Sequence, residues 1–315
     1  MTDSHSGDAP IVVGVDDTEA AMKAARWAAL AAAQREAPLH LLHASGFSDP
    51  YIIGFTVPPP EAFKEELREQ KHQALHTAEA IAEEVGVSQV VARFEADAAI
   101  PCLLRASRTA RMVVLGSSGR TKLTGLLVGS TTLALVSHAH CPVVSVRGDH
   151  PDAFTDDTRP VVVGVDGSEL SDQAVGHAFE EASLRNVDLI AVHTWSDTDT
   201  ALFKDQQLYY NWEPIHDYES RLLTEHLASW EEQHPEVRVR REVVRDRPRD
   251  ELLERSRSAQ LLVVGSRGRG GFCGMLLGST SQALIQHAAC PVMIVRPGKR
   301  AHHLPRLHRE GAGRS

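Results

Sequence analysis

The strongest constraint on the fold is that the chain carries the same order of motifs twice. PIVVGVDDTE (10–19) matches PVVVGVDGSE (160–169), and HAHCPVVSVR (138–147) matches HAACPVMIVR (287–296). The repeat period is about 150 residues, far longer than the ~20 to 50 residues of a solenoid unit, so the pattern indicates a duplicated domain. With 315 residues there is room for two domains of ordinary size. We therefore expect each half to fold around its own core.

Each half contains five short apolar runs separated by segments with helical periodicity. Continuous apolar runs are typical of strands in a parallel sheet whose two faces are both covered. Strands that alternate with helices indicate βαβ units. The sequence therefore predicts an α/β fold with a doubly wound, parallel, five-stranded sheet in each half. The predicted strands are residues 11–15, 39–44, 90–95, 112–115 and 143–146, then 161–165, 189–193, 237–244, 261–264 and 292–295.

Composition separates the two domains from their flanking segments and limits the class of protein. We predict nucleotide-binding domains at 10–148 and 160–297, a polar linker at 149–159, a disordered lead at 1–9 and a basic disordered tail at 298–315. The net charge of −9 argues against a nucleic-acid partner. No apolar run approaches the ~20 residues that would span a membrane. With no secretory signal pattern and no CxxC pair among the four cysteines, a cytoplasmic location is expected.

A glycine motif follows the fourth predicted strand of each half and leads into an apolar helix. It is GSSGRTKLTGLLVGS at 116–130 and GSRGRGGFCGMLLGS at 265–279. Such a loop presents backbone N–H groups and a helix N-terminus to an anion, and we expect its glycines to adopt positive φ. The motif lacks the Gly-Lys-Ser/Thr of a Walker A loop, and the first strands end in GVDDT and GVDGS rather than in a dinucleotide motif. The pattern predicts a phosphate site that retains a nucleotide more than it hydrolyses one.

Other polar residues are predicted near the same edge of each sheet, where ligands of such folds bind. Asp16 and Asp166 directly follow the first strand and can accept hydrogen bonds from ribose hydroxyls or hold a cation, although capping of the first helix is an alternative. His43 and His193 lie at the end of the second strand of each half. Each is either a core residue or a residue that lies beside an adenine. The cluster His138-x-His140-Cys141 is weak evidence for a metal, because the second half has alanine in place of His140.

These motifs together resemble the universal stress protein family, in particular its tandem, ATP-binding form common in actinobacteria. The resemblance rests on G-x2-G-x9-G-S, on V-G-V-D at the start of each half and on H-A-x-C-P-V before the last strand, and it covers roughly residues 9 to 297. It implies a flavodoxin-like strand order 3-2-1-4-5 and one ATP in each half, with Mg²⁺ or Mn²⁺ on the phosphates and Asp16 and Asp166 on the metal side. The binding residues it implies are Gly14, Val15, Asp16, Ala44, Gly116, Gly119, Arg120, Gly129, Ser130 and Thr131, and then Gly164, Val165, Asp166, Thr194, Gly265, Arg267, Gly268, Gly278, Ser279 and Thr280.

The implied strand order leaves an apolar fifth strand at the edge of each sheet. An uncovered apolar edge promotes aggregation, so we expect the halves to dock through their fifth strands. The aromatic-rich insert 202–212 is a candidate contact between chains, and we expect a homodimer.

The favoured function is an ATP-binding stress or dormancy regulator that acts through nucleotide-dependent conformation or through an unknown protein partner. The alternative is a slow ATPase or a nucleotidyl-transferring enzyme. The sequence favours at most weak hydrolysis, because no general base recurs in both halves and no His-x-Gly-His motif is present. The two sites are expected to differ in affinity, since Thr121 and Lys122 stand where the second loop has two glycines.

Overall fold

The computed structural model describes residues 9–44, 61–117, 129–147, 157–195, 213–269 and 276–297. The predicted basic tail, the aromatic insert 202–212, and nearly all of the predicted lead and linker lie outside these residues. Gly119 and Arg120 of the first glycine motif also lie outside them. Within the described ranges, no helix is both long enough and apolar enough to cross a membrane.

Each half has the predicted alternation of strands and helices. The first half comprises β1 (Ile11–Gly14), α1 (Glu19–Gln34), β2 (Leu39–Ala44), α2 (Glu61–Val85), β3 (Val90–Glu95), α3 (Ala99–Ala106), β4 (Met112–Gly116), α4 (Ser130–His138) and β5 (Val143–Val146). The second half comprises β6 (Val161–Val165), α5 (Glu169–Arg185), β7 (Leu189–Thr194), α6 (Glu213–Gln233), β8 (Val239–Val244), α7 (Pro248–Arg255), β9 (Leu261–Gly265), α8 (Ser279–His287) and β10 (Val292–Val295).

The element boundaries differ from the predicted ones by one or two residues. Strand β8 begins later than expected because the N–H of Val237 donates to His234 O in a turn instead of joining the ladder. Helix α3 begins before Pro101, which is tolerated in a first turn because no intrahelical N–H is needed there.

The strands form one ten-stranded sheet in the order β3-β2-β1-β4-β5-β10-β9-β6-β7-β8. This sequence of strands contains the predicted order 3-2-1-4-5 once in each half, so that prediction is confirmed. All neighbouring strands within a half are parallel. At the centre β5 and β10 pair antiparallel, with Val144 opposite Met293. The predicted docking through the fifth strands is thereby confirmed, and the two expected sheets are joined into one. We call the β5–β10 pairing the seam.

The hydrophobic core corrects one expectation, that each half would have its own core. Successive strand residues alternate between the faces of the sheet, so Ile11 and Val13 pack on one side and Val12 on the other. One apolar cluster lies under α1, α2, α5 and α6, and the other under α3, α4, α7 and α8. Each cluster contains residues of both halves, because the seam makes the two sheet faces continuous.

Helix α1 lies unusually close to the sheet. Six of its alanines are fully buried: Ala24, Ala25, Ala28, Ala29, Ala31 and Ala32. The backbone approach is tight at Gly116, where an added Cβ would lie 2.4 Å from Ala20 O. Packing of α1 alone therefore requires glycine at the end of β4, before any ligand is considered.

A buried cluster of charged side chains joins α1 of the first half to α5 of the second. Glu181 of α5 accepts hydrogen bonds from Arg185 on the same helix and from Arg35 at the end of α1. The three side chains are no more than 3% exposed. The Arg185 guanidinium also lies over the Trp27 ring of the first half, 5.6 Å from its centroid. Although burial alone would raise the pKa of Glu181, Arg185 and Arg35 lower it to about 2.

Replacement of Glu181 by glutamine should be strongly destabilising, because two buried guanidinium groups lose their counter-charge. Removing one partner of a buried ion pair costs about 3 to 5 kcal/mol. Urea unfolding of E181Q at neutral pH measures this loss. The matched control is E180Q on the same helix: Glu180 also crosses to the first half, 2.8 Å from Arg111, but is 37% exposed. We expect E180Q to cost less than about 1 kcal/mol, and equal losses in the two variants would contradict the assignment.

Acid should weaken the fold through the same carboxylate. Because the pKa of Glu181 in the folded chain, about 2, lies below its ordinary value of 4.5, its stabilisation is complete above pH 4.5 and disappears as the pH falls towards 2. The amount at stake is on the order of 3 kcal/mol. The unfolding free energy measured between pH 6 and pH 2.5 should fall less steeply for E181Q than for the native chain, and parallel curves would refute this origin.

Candidate functional site

The carboxyl ends of β1 and β4, and of β6 and β9, form the edge of the sheet that the sequence singled out. Val13 pairs with Val114 in the first half, and Val163 pairs with Val263 in the second. Since these neighbours are parallel, Asp16 and Gly116 emerge at one edge, as do Asp166 and Gly265. We call each of these edges the rim of its half.

The carboxylate of Asp166 joins the first strand to the glycine loop. Its Oδ1 accepts the N–H of Ser168 at 2.9 Å, and its Oδ2 accepts the N–H of Arg269 at 2.8 Å. In the first half, Asp16 Oδ1 accepts the N–H of Thr18 at 3.0 Å. The helix N-caps are Thr18 and Ser168 themselves, so the aspartates orient the caps and do not replace them. Each Asp166 oxygen keeps a lone pair for another donor.

The expectation of positive φ at the motif glycines is wrong for those that the structure describes. Gly129 and Gly278 have φ of −67° and −74°, and the described glycines with positive φ, Gly86 and Gly167, lie outside the motif. Close approach explains Gly268, where an added Cβ would lie 2.4 Å from Asp166 Oδ2. The left-handed residue is Gly167 (φ 73°), where an added Cβ would lie 2.1 Å from Arg269 Nη2.

The glycine loop of the second half closes on itself before α8 begins. The N–H of Gly278 donates to Ser266 O at 2.8 Å, and Ser281 Oγ donates to Gly265 O at 2.8 Å. No side chain caps α8. Its first backbone N–H groups, at Ser279 and Thr280, therefore face outward at the positive end of the helix dipole. Ser266 Oγ is buried and has no hydrogen-bond partner among the described residues.

The first half shares the uncapped helix start of this arrangement. Helix α4 has Gly129 as its N-cap, again without a side-chain cap, and Ser130 and Thr131 form its first turn. Both halves thus present an open helix N-terminus at the rim, which can accept an anion.

Several predicted site residues are held in the core and can offer a ligand only their backbone. An added Cβ at Gly14 would lie 2.7 Å from Leu115 Cδ2, and one at Gly164 would lie 3.0 Å from Leu252 Cδ1. The Val15 and Val165 side chains are also buried. Ala44 and Thr194 end β2 and β7 at the same rim and are partly buried.

Histidine at the end of the second strand has different surroundings in the two halves. His193 Nδ1 lies 2.7 Å from Val165 O, and its Nε2 lies 3.0 Å from Glu219 Oε2 of α6. Both ring nitrogens therefore face acceptors, and the histidine fastens α6 to the rim. His43 stacks on Phe94 instead, with ring centroids 5.6 Å apart. Glu219 escaped the sequence analysis because Gln70 stands at the corresponding place in the first half.

Arg269 is a second residue that the sequence analysis missed. Alignment of GSSGR with GSRGR places Arg269, not Arg267, opposite Arg120. The motif itself carried this signal, since both arginines directly follow the second glycine. The structure supports the correspondence for Arg269, whose N–H and guanidinium both lie at the rim.

The histidine and cysteine cluster before β5 is not assembled as a metal centre. Burial raises the pKa of Cys141 and of its counterpart Cys290 to about 12, so both are inert thiols. No group of three or more His, Cys, Asp or Glu side chains placed to hold a metal ion occurs among the described residues.

Comparison with known proteins agrees with the architecture in both halves. The model of the universal stress protein family matches residues 9–147 and 158–296. Universal stress protein Rv2623 of Mycobacterium tuberculosis is 40% identical over 290 residues, spanning 91% of this chain and 96% of its own. A universal stress protein of Mycolicibacterium smegmatis is 40% identical over 292 residues, spanning 91% and 97%.

A solved structure shows the same fold over nearly the whole chain. The crystal structure of a universal stress protein from Archaeoglobus fulgidus superposes with a TM-score of 0.67 at 19% identity, covering 94% of this chain and all of that one. The family model in each half and the full-length relatives lead to one conclusion: this chain belongs to the universal stress protein family, as a tandem of two of its domains.

Proposed function

We propose that each half of this chain binds one adenine nucleotide, ATP, at its rim, and that the bound nucleotide sets the conformation or the protein partner of a stress or dormancy regulator. Family membership makes a ligand at this edge of the sheet reasonable, and the rim supplies chemically suited groups. In both halves an aspartate and an open helix N-terminus lie at the rim, and in the second half Arg267 and Arg269 belong to the same loop.

The observation that carries the proposal is the hydrogen bond from Arg269 N to Asp166 Oδ2, 2.8 Å long. It holds the carboxylate that can accept ribose hydroxyls beside the loop that can surround phosphates. In a nucleotide, the ribose and the first phosphate are likewise next to each other, because the 5′ carbon joins them. The spacing therefore suits a nucleotide better than an isolated anion or sugar.

Unused hydrogen-bonding groups support the fit of a phosphate chain. Helix α8 begins without a side-chain cap, and Ser266 Oγ is buried without a partner in the described part of the chain. Buried polar atoms are rarely left in this condition, so a ligand is a reasonable partner. Arg267 and Arg269 add charge at the same loop.

A divalent cation would fit this site as a companion of the phosphates. Each rim offers one aspartate, Asp16 or Asp166, and both oxygens of Asp166 already accept backbone N–H groups. Mg²⁺ usually keeps several water ligands and binds through one or two carboxylates together with substrate phosphates. When bound, the cation would supply charge neutralisation for the triphosphate.

Retention of ATP over its turnover is supported by the contacts of His193. Both nitrogens of this histidine are engaged, by Val165 O and by Glu219. The ring of His226 also lies at the second rim, with Nε2 3.0 Å from the place where a Cβ would stand on Gly167. A general base needs a free lone pair within reach of the attacking water, and His193 does not offer one in this arrangement. The enzyme alternative therefore gains no support from this pair.

Equilibrium dialysis should find two ATP per native chain, and one per chain in either D16A or D166A. Removal of a charged acceptor for the ribose should weaken its site tenfold or more, since a hydrogen bond to a charged group contributes about 1.5 to 3 kcal/mol. The double variant should bind none. Chains that release ADP in step with ATP binding, and lose this activity in the double variant, would favour the enzyme instead.

Alanine at Gly278 separates the needs of the ligand from those of the fold. Among the described residues beyond its chain neighbours, its Cβ would meet no atom closer than 3.5 Å, and φ −74° and ψ 152° suit alanine, so thermal stability should be unchanged. If phosphate approaches this Cα, ATP affinity at the second site should fall tenfold or more, as calorimetry in the D16A background would show. Unchanged affinity would contradict phosphate binding at the start of α8.

The homodimer, the cytoplasmic location, the regulatory partner and the absence of nucleic-acid binding stay predictions from the sequence. None of them is needed for the nucleotide site proposed here, because each half supplies its own rim and its own helix N-terminus.

A further inference from the structure

Arg296, the residue directly after β10, contacts both halves of the chain at once. Its Nη1 donates to Val136 O at 3.2 Å and to Leu276 O at 3.4 Å, and its Nε donates to Ala139 O at 3.4 Å. Val136 and Ala139 are at the end of α4 in the first half, whereas Leu276 leads into α8 in the second. One guanidinium therefore bridges the end of one phosphate-site helix and the loop of the other.

The seam places an equivalent arginine on the opposite side. Arg147 follows β5, and its Nη1 donates to Ile285 O, in the last turn of α8, at 3.1 Å. Helix C-termini have carbonyls without intrahelical donors and carry partial negative charge, so a guanidinium satisfies both needs. Each half thus caps the last helix of the other half.

The surroundings of Arg296 oppose its positive charge. Burial lowers the pKa of Arg296, and the charge of nearby Arg267 lowers it further. Among the residues that the structure describes, no carboxylate forms an ion pair with either arginine. An anion bound beside Arg267 would relieve the repulsion between the two guanidinium groups.

We propose that Arg296 is a positioning residue that couples the two phosphate sites, so that occupation of the second site strengthens nucleotide binding at the first. This inference rests on the proposed function. Phosphate at the second loop neutralises Arg267 and fixes the segment at Leu276, which strengthens the hold of Arg296 on the carbonyls of α4. The N-terminus of α4, at Gly129 and Ser130, is the phosphate site of the first half.

The coupling acts equally in both directions as a free energy, although the arginine that senses the bound phosphate, Arg267, belongs to the second half only. Thermodynamic linkage requires that nucleotide at the first site strengthen binding at the second by the same factor. The sequence places Ser118 where the second loop has Arg267. The charge-sensitive element of the route therefore belongs to the second half.

Calorimetric titration of the full chain with Mg-ATP tests this inference. D166A reports the first site alone, D16A reports the second, and the native chain reports both together. We expect binding in the native chain to be tighter than the two single-site constants require by about fivefold, the lower end of usual coupling factors. R296M should bind two ATP with constants that differ by less than twofold from the single-site values measured in its own background.

Two further variants separate coupling from stability. R296K retains a positive charge, but a lysine ammonium lacks the planar, forked guanidinium that reaches the carbonyls of α4 and of Leu276 together. The variant should therefore fold normally and lose most of the coupling. R147M removes the equivalent cap, whose described contact is to α8 alone, and should keep the coupling. Thermal unfolding of each variant shows whether the fold is intact, and R296K decides the question if R296M is unstable.

The outcomes distinguish this inference from the function on which it rests. Two independent ATP sites in the native chain, or full coupling in folded R296M or R296K, would overturn the role of Arg296 and leave nucleotide binding in place. A native chain that binds no ATP would overturn the proposed function itself.

Discussion

The antiparallel pairing of β5 with β10 is the contact on which the rest of the structure depends. Both strands are fully buried and are apolar apart from Ser145 of β5, and each would be an exposed sheet edge if its half stood alone. Their pairing satisfies the backbone groups of both edges and joins two five-stranded sheets into one. It also makes the helix layers continuous, so that both apolar clusters run through both halves.

Polar contacts across the seam pair particular residues of the two halves, whereas apolar packing does not depend on particular partners. Arg147 and Arg296 exchange caps between the last helices, which preserves the approximate twofold relation of the halves. Glu181 breaks that relation, because it serves both Arg35 and Arg185, which occupy matching positions, whereas the counterpart of Glu181 in the first half is Ala31. One carboxylate therefore balances a pair of arginines that the duplication brought together. The halves are fixed by charge as well as by the sheet.

The motif glycines show how one residue type can serve packing and binding together. Gly116 allows α1 to approach β4, and Gly268 allows Asp166 to lie against the loop, so both are required by the protein's own contacts. In the part of the chain that the structure describes, nothing beyond the chain neighbours of Gly278 lies closer than 3.5 Å to the place where its Cβ would stand, so these contacts do not require glycine there. The spacing places the motif at the rim of each half, but positive φ was the wrong reason for the glycines that the structure describes.

The sequence by itself determined the duplicated α/β fold, which follows from patterns that repeat locally, such as the apolar runs of β1 and β5 and the glycines after β4 and β9. The strand order came from the resemblance of these motifs to a known family, and the docking of the halves through their fifth strands was argued from that order. Only the tertiary structure decided which residues meet across long separations: Arg296 on α4, Glu181 on Arg35, and Glu219 on His193. Glu181 and Glu219 have no counterpart of the same residue type in the other half, and the contact of Arg296, which Arg147 repeats on α8, crosses between the halves, so comparison of one half with the other could not find them. They depend on how helices from distant parts of the chain lie against the joined sheet, and that arrangement is fixed by packing rather than by any local pattern.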